Sequence, residues 1–84
     1  MFFRRRIEGE ITERACTEDF LGRPITLYTL LNGKLFNIAQ KDYPESPSVG
    51  DKVRVKLTGK YLASRYDESK GDILWREIKS CKVL

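Results

Sequence analysis

A strict alternation of apolar and polar residues marks the middle of the second half of this chain. After a Gly50-Asp51 turn, Val53, Val55 and Leu57 alternate with polar and mostly basic side chains. Successive side chains of a β-strand point to opposite faces, so this period of two predicts a strand from Lys52 to about Leu62 with one apolar and one cationic face. The cationic face carries Lys52, Arg54, Lys56 and Lys60.

An Asn32-Gly33 pair between two apolar runs predicts a β-hairpin with a two-residue type I′ turn. Its strands are Ile25–Leu31 and Lys34–Gln40. In this register Leu31 faces Lys34, and the core face carries Ile25, Leu27, Phe36 and Ile38. The outer face carries Thr26, Tyr28, Leu30, Leu35 and Asn37. A tyrosine and two leucines exceed what solvation requires, so the outer face is either a binding surface or a second packing face.

Two further strands flank this centre. The first runs from Phe2 to Cys16, with Ile7, Gly9, Ile11 and Ala15 on one face. A glycine inside a strand is typical of a kink or bulge, which we expect at Gly9, and Gly59 is a second possible bend. The last strand runs from Ile73 to Val83, and its imperfect alternation requires a bulge near Arg76. Loops are predicted at Thr17–Pro24, Lys41–Ser48 and Arg65–Asp72.

Length and charge bound the class of protein. The chain has 84 residues, a net charge of +4 and a pI of about 9.2, so we expect one domain, residues 1–84, with a moderate preference for acidic partners. No apolar run approaches the length of a membrane span, and the start of the chain does not resemble a secretory signal. We therefore expect a cytoplasmic protein.

The residues that carry most enzyme chemistry are missing. Histidine is absent, the acidic residues form no obvious pair, and Cys16 and Cys81 have no metal-ligand spacing. We expect no catalytic activity, no metal and no cofactor. The two thiols are interpreted as free and reduced, and a single bridge between the two ends of the chain is the alternative.

Taken together, the five strands without a helix predict an all-β fold. Their order resembles the OB-fold, a small five-stranded Greek-key barrel. The run Val49-Gly50-Asp51-Lys52-Val53-Arg54-Val55 resembles the start of the fourth strand of many OB-folds, and residues 74–83 resemble their closing strand. The chain departs from the pattern between the third and fourth strands, where Asp42 to Gly50 is too short and too rich in proline for a long helix. An SH3-like barrel is the competing topology.

The resemblance implies a ligand site. OB-folds commonly bind single-stranded nucleic acid or oligosaccharide on strands two and three, between the first and fourth loops. Carried onto this sequence, that implies a nucleic-acid-binding set made of Tyr28, Tyr66, Phe20, Arg23, Arg54, Lys56, Lys60, Arg65 and Lys70. Phe36, Tyr61 and Trp75 are interpreted as core. Arg4, Arg5 and Arg6 are either a solvated terminus or an extension of the phosphate track, while Glu8, Glu10 and Glu13 oppose it.

Two functions follow from these expectations. The first is non-enzymatic binding of single-stranded DNA or RNA with little sequence preference. The second is a protein-interaction module or accessory subunit that uses the outer face of the hairpin. In that case Tyr28, Leu30 and Leu35 contact a protein partner or a second copy of the chain in a homo-oligomer.

Overall fold

The structure, a computed structural model, describes residues 5–84 and consists of five β-strands, as predicted. They are β1 (Arg6–Glu18), β2 (Pro24–Asn32), β3 (Lys34–Lys41), β4 (Lys52–Asp67) and β5 (Gly71–Val83). The predicted start of the first strand, at Phe2, lies outside the described residues. The segment between β3 and β4 is irregular, in agreement with its two prolines.

The five strands form one mixed sheet that closes into a ring. The order around the ring is β1, β2, β3, β5, β4, and β4 pairs back to β1. All neighbouring strands are antiparallel except β3 and β5, which pair in parallel through Ile38 and Ala39. The ring therefore has an inner side, which holds the core, and an outer side.

The alternation along β4 buries its apolar residues and exposes its basic residues, as the period of two predicts. Val53, Val55 and Leu57 are at most 1% exposed, whereas the basic residues between them are exposed. In the pairing with β1, Ile7 lies opposite Val55 and Gly9 lies opposite Val53. The inner side is completed by a cluster of buried residues from all five strands: Ile7, Ile11, Tyr28, Leu30, Ile38, Val53, Val55, Leu57 and Ile78.

The predicted register of the β2–β3 hairpin is wrong by one residue. Leu31 faces Leu35 and Asn32 faces Lys34, so Gly33 alone forms the tip, with a φ of 71°. A one-residue slip turns the side chains of a strand to the other face. Tyr28 and Leu30 are consequently core residues, 1% and 0% exposed, and not members of an outer face. The inward position of Tyr28 is satisfied because its hydroxyl donates to Gln40 Oε1 at 2.9 Å.

The bulge predicted at Gly9 lies three residues further along β1. The register with β2 shifts between Ile11 and Glu13. After this bulge Arg14 lies opposite Tyr28, and Ala15 is exposed instead of facing the core. The Arg14 guanidinium donates to the backbone carbonyls of Pro44, Glu45 and Pro47, which fixes the irregular segment against one end of the ring.

The β4–β5 hairpin is longer than predicted, because the expected loop from Arg65 to Asp72 shortens to a turn at residues 68–70. A bend at Gly59, with a φ of 93°, is confirmed. The pairing register with β5 shifts three times. One shift lies between Lys56 and Leu57, one between Leu57 and Tyr61, across the bend, and one between Tyr61, which pairs with Arg76, and Ala63. These shifts break the period of two, so Tyr61 is 52% exposed and its interpretation as a core residue is wrong. Trp75 is buried as expected, but outside the main cluster.

Gly9 is required by close packing between β1 and β2. A Cβ atom there would lie 2.6 Å from Leu30 Cδ2 and would also clash with the Leu31 carbonyl oxygen. We therefore predict that Gly9→Ala lowers the free energy of unfolding by about 1–3 kcal/mol through overpacking. Urea denaturation measures the change, and Glu10→Ala on the exposed side of the same strand is the matched control. Equal stability of the two variants would contradict this account of Gly9.

Candidate nucleic-acid interface

Basic side chains gather where β1, β4 and β5 lie side by side. In one row across the three strands, Lys56 of β4 lies between Arg6 of β1 and Ser80 of β5. In the next row, Arg54 of β4 lies between Glu8 of β1 and Lys82 of β5. Residues that pair across a sheet share a face, so all these side chains point outward with Lys52 and Glu10. We call this surface the basic face; it consists of Arg6, Glu8, Glu10, Lys52, Arg54, Lys56, Ser80 and Lys82.

The basic face carries an excess of positive charge. Its five cations and two carboxylates leave three net positive charges. Arg54 donates through Nε to Glu8 Oε2 at 2.9 Å, an exposed ion pair that contributes at most about 1 kcal/mol to stability. Within residues 5–84, Lys52, Lys56 and Lys82 form no ion pair. Three lysines are thus available to neutralise an anion.

Beyond the Gly59 bend, β4 exposes aromatic side chains. Tyr61 pairs with Arg76 and Tyr66 pairs with Asp72, and these two β5 residues lie on the same face because β5 is regular between them. Tyr61 and Tyr66 therefore share a face of the hairpin, 52% and 71% exposed. The buried Ile78 lies on the same face of β5, so the tyrosines continue the core side of the sheet and lie on the opposite side of β4 from the basic face. Lys60 is exposed beside them. A single strand thus carries two exposed lysines and one exposed arginine in its first half and two exposed tyrosines in its second half.

The β4–β5 hairpin covers part of the β2 surface that the OB-fold resemblance implies as the site. The β4–β5 hairpin contributes Arg65 and Trp75 to a groove of about 200 Å³ that Ala15, Leu27 and Thr29 also line. The Arg65 guanidinium lies over the Trp75 ring at 5.7 Å, and Trp75 is only 9% exposed. Little aromatic surface is left in this groove for a stacked base.

The β1–β2 loop presents Phe20 in an ordered turn. Asp19 accepts hydrogen bonds at Oδ1 from the amides of Leu21 and Arg23, and at Oδ2 from Arg23 Nε at 2.7 Å. The hydrogen bond from the Arg23 amide is the main cause that lowers the pKa of Asp19 below its usual value. Phe20 is 92% exposed, but the loop follows Glu18, at the opposite end of β1 from the basic face.

The structure separates the residues that the sequence analysis joined in one site. Arg54 and Lys56 lie together on the basic face. Lys60 and Tyr66 lie beyond the Gly59 bend, and Lys70 lies in the turn of the β4–β5 hairpin. Arg65 lines the groove beside Trp75. Phe20 and Arg23 lie on the distant loop, where Arg23 is paired with Asp19. Tyr28 is in the core and only 1% exposed, so the outward position on which its assignment to the site rested is wrong.

Lys82 is the residue that sequence reasoning missed. Lys82 lies on β5, opposite Arg54 of β4. This position depends on the β4–β5 register, which is irregular because of a bulge at Lys79. Arg6 was considered as part of a basic terminus, and it lies on the basic face. The alternation of charge along β4 is the signal that located the surface, but it does not show which neighbouring strands extend it.

The structure also differs from the expected surface for a protein partner, which consisted of Tyr28, Leu30 and Leu35. Because Tyr28 and Leu30 are buried, only Leu35 of the three expected residues is exposed, at 62%. Its neighbour across the hairpin is Leu31, which is 44% exposed. The apolar outer surface of the hairpin is therefore this leucine pair at its tip.

Residues 5–84 contain no cluster of metal-binding side chains and no helix able to cross a membrane. Cys16 and Cys81 are free thiols, and burial raises the pKa of the Cys81 thiol. No protein-family model, curated protein or solved structure matches this chain.

The buried position of Tyr28 has a measurable consequence. Desolvation raises the pKa of its phenol, which therefore stays neutral and donates to Gln40. We predict that Tyr28→Phe costs about 1 kcal/mol of folding free energy, from the lost hydrogen bond, and leaves the affinity for oligonucleotides unchanged. Chemical denaturation and fluorescence anisotropy measure the two quantities. A stable variant with weakened binding would return Tyr28 to the site.

Proposed function

We propose that this protein is a non-enzymatic binder of single-stranded DNA or RNA, with one part of the strand on the basic face and its bases reaching Tyr61 and Tyr66 past the edge of β4 beyond Gly59, where β4 of the described chain pairs only with β5. The observation that carries the proposal is the composition of β4 itself. Its first half exposes Lys52, Arg54 and Lys56 on the basic face, and its second half exposes Tyr61 and Tyr66. Cations that follow the backbone and aromatic rings that accept bases are the two elements of single-strand binding sites.

The spacing of the cations suits a chain of phosphates. Lys52, Arg54 and Lys56 are every second residue of an extended strand, so their side chains emerge about 7 Å apart along β4. Arg6 and Lys82 widen this row on either side. Contacts of this kind neutralise phosphates but do not distinguish bases, so the proposal includes little sequence preference.

The tyrosines favour a single strand over a duplex. Bases in a duplex are stacked on each other and present only their edges, whereas unpaired bases can place a ring face on Tyr61 or Tyr66. On β5, the residues that share this face are Arg76, Leu74 and Asp72, so β5 offers one cation and one carboxylate to a duplex backbone there. We therefore expect weaker binding to a duplex of the same sequence.

An OB-fold assignment belongs to the same proposal. The insertion of β5 between β3 and β4 in the ring means that the strands do not follow one another as a simple meander. A closed five-stranded sheet with such a crossover is consistent with a Greek-key barrel of the OB type. The proposed strand would then lie on a different surface from the β2–β3 face that OB-folds commonly use.

The basic face can be tested by its dependence on salt. Phosphate contacts release counterions, and each contact to a single strand contributes about 0.7 to the slope of log K against log salt concentration. We predict that Lys52→Gln combined with Lys56→Gln weakens binding to an oligonucleotide and reduces this slope by about 1.4. Anisotropy titrations at several salt concentrations measure it.

The control for that variant removes the same charge elsewhere. Lys34 and Lys41 lie on β3, away from the basic face, and their change to glutamine should leave the slope nearly unaltered. If both double variants lose affinity equally, net charge rather than the basic face governs binding. If the native protein binds no single strand at low salt, the proposed function is wrong.

The aromatic half of β4 makes a separate prediction. Base stacking on an aromatic side chain contributes about 1–3 kcal/mol per base. We predict that Tyr66→Ala weakens binding to a single strand by that amount without changing the salt slope, whereas Leu35→Ala, which removes an equally exposed apolar side chain, has no effect. Unchanged affinity of the Tyr66 variant would restrict the interaction to the phosphates.

A further inference from the structure

Within the basic face, four cations surround one shallow depression. It measures about 220 Å³, and its charged lining consists of Arg6, Arg54, Lys56 and Lys82. The hydroxyl-bearing Ser80 completes the polar lining, and no carboxylate contributes to it. Glu8 lies outside the lining and is ion-paired with Arg54, so the depression keeps three cations, Arg6, Lys56 and Lys82, that form no ion pair within residues 5–84.

The register of three strands explains why these side chains meet. Arg6 and Lys56 form one cross-strand pair, and Arg54 and Lys82 form the next pair along β4. Side chains directly opposite each other are about 5 Å apart at Cβ, and diagonal neighbours about 7–8 Å, within reach of long basic side chains. Glu8 engages Arg54 only through Nε, so the two Nη groups of Arg54 remain for a ligand in the depression.

Four neighbouring cations, of which only Arg54 is ion-paired within the described part of the chain, exceed what an internal phosphodiester requires. A phosphodiester carries one negative charge, whereas a phosphate monoester carries about 1.5 to 2 at pH 7 and offers three strong acceptor oxygens. Arginine and lysine together can supply several charge-assisted hydrogen bonds to such a group. The charge and the donors of the depression thus match a monoester better than a diester.

We propose that this depression binds the terminal phosphate monoester of a nucleic acid strand. The inference rests on the proposed function and makes it more specific, since the terminal phosphate anchors one end of the strand at Arg6, Arg54, Lys56 and Lys82. The following nucleotides then pass the edge of β4 beyond Gly59 to reach Tyr61 and Tyr66 on its other side. The protein accordingly distinguishes phosphorylated ends from hydroxyl ends and reads no sequence.

The test compares oligonucleotides of one sequence that carry a 5′-phosphate, a 3′-phosphate or two hydroxyl ends. We expect one of the phosphorylated forms to bind on the order of tenfold more tightly than the hydroxyl form, because it adds charge-assisted hydrogen bonds. Lys82→Gln should abolish this preference. Lys79→Gln is the matched control, because Lys79 is exposed on the same strand but does not line the depression. Thermal unfolding of both variants confirms that they are folded.

The outcomes separate this inference from the proposed function. Equal binding of all three oligonucleotides, or a preference that survives Lys82→Gln, overturns the terminal-phosphate site and leaves single-strand binding intact. Binding of none of them overturns both proposals. Titration with inorganic phosphate adds an independent arm: backbone amide shifts at Lys56, Ser80 and Lys82 support the depression as a phosphate site, and unshifted amides there at saturating phosphate count against it.

Discussion

The pairing of β1 with β4 is the constraint on which the rest of this structure depends. It closes the ring, and its register decides which side of each strand is buried. With Ile7 opposite Val55 and Gly9 opposite Val53, the aliphatic residues of β4 lie inside and its basic residues outside. A slip of one residue would bury Arg54 and Lys56 without partners and expose the valines, at a large cost in desolvation. The same register that forms the core thus assembles the basic face.

The bend at Gly59 divides β4 into two halves with different tasks. The first half is held in the ring by both neighbours, whereas the second half pairs with β5 in a long hairpin. That hairpin contributes Trp75 and Arg65 to the outer surface of β2, where the two side chains pack against each other and line the groove. The other face of the hairpin leaves Tyr61 and Tyr66 exposed. The bend therefore explains both why the β2–β3 face offers little room and why two tyrosines are accessible.

Local patterns in the sequence predicted the number, the type and most of the bounds of the strands. The alternation at Val53, Val55 and Leu57 was sufficient for β4, because burial on one side imposes a period of two. The hairpin register was not predictable, since Asn32-Gly33 suits a two-residue turn as well as a tip at Gly33 alone. The choice between them is made by packing, because the core accommodates Tyr28 and Leu30, and no local signal reports that.

The candidate site was predictable only in part for the same reason. Positions on a regular strand can be assigned to a face, and Arg54 and Lys56 were placed correctly. Tyr61 was not, since three register shifts precede Ala63 and no residue type marks how many occur. Lys82 joins the basic face through long-range pairing alone. The sequence pattern therefore does not predict the pairing register of one strand against its neighbour.

The central claim is that a single nucleic acid strand binds the basic face on the outside of the ring and passes the edge of β4 beyond Gly59 to reach Tyr61 and Tyr66. Titration of the ¹⁵N-labelled protein with a short single-stranded oligonucleotide tests it most directly, because each backbone amide reports its own environment. The account predicts the largest shifts in β4 between Lys52 and Tyr66, with smaller shifts in the adjoining parts of β1 and β5. Shifts confined to the β1–β2 loop around Phe20 and to the β2–β3 hairpin, or none at all at low salt, would contradict it.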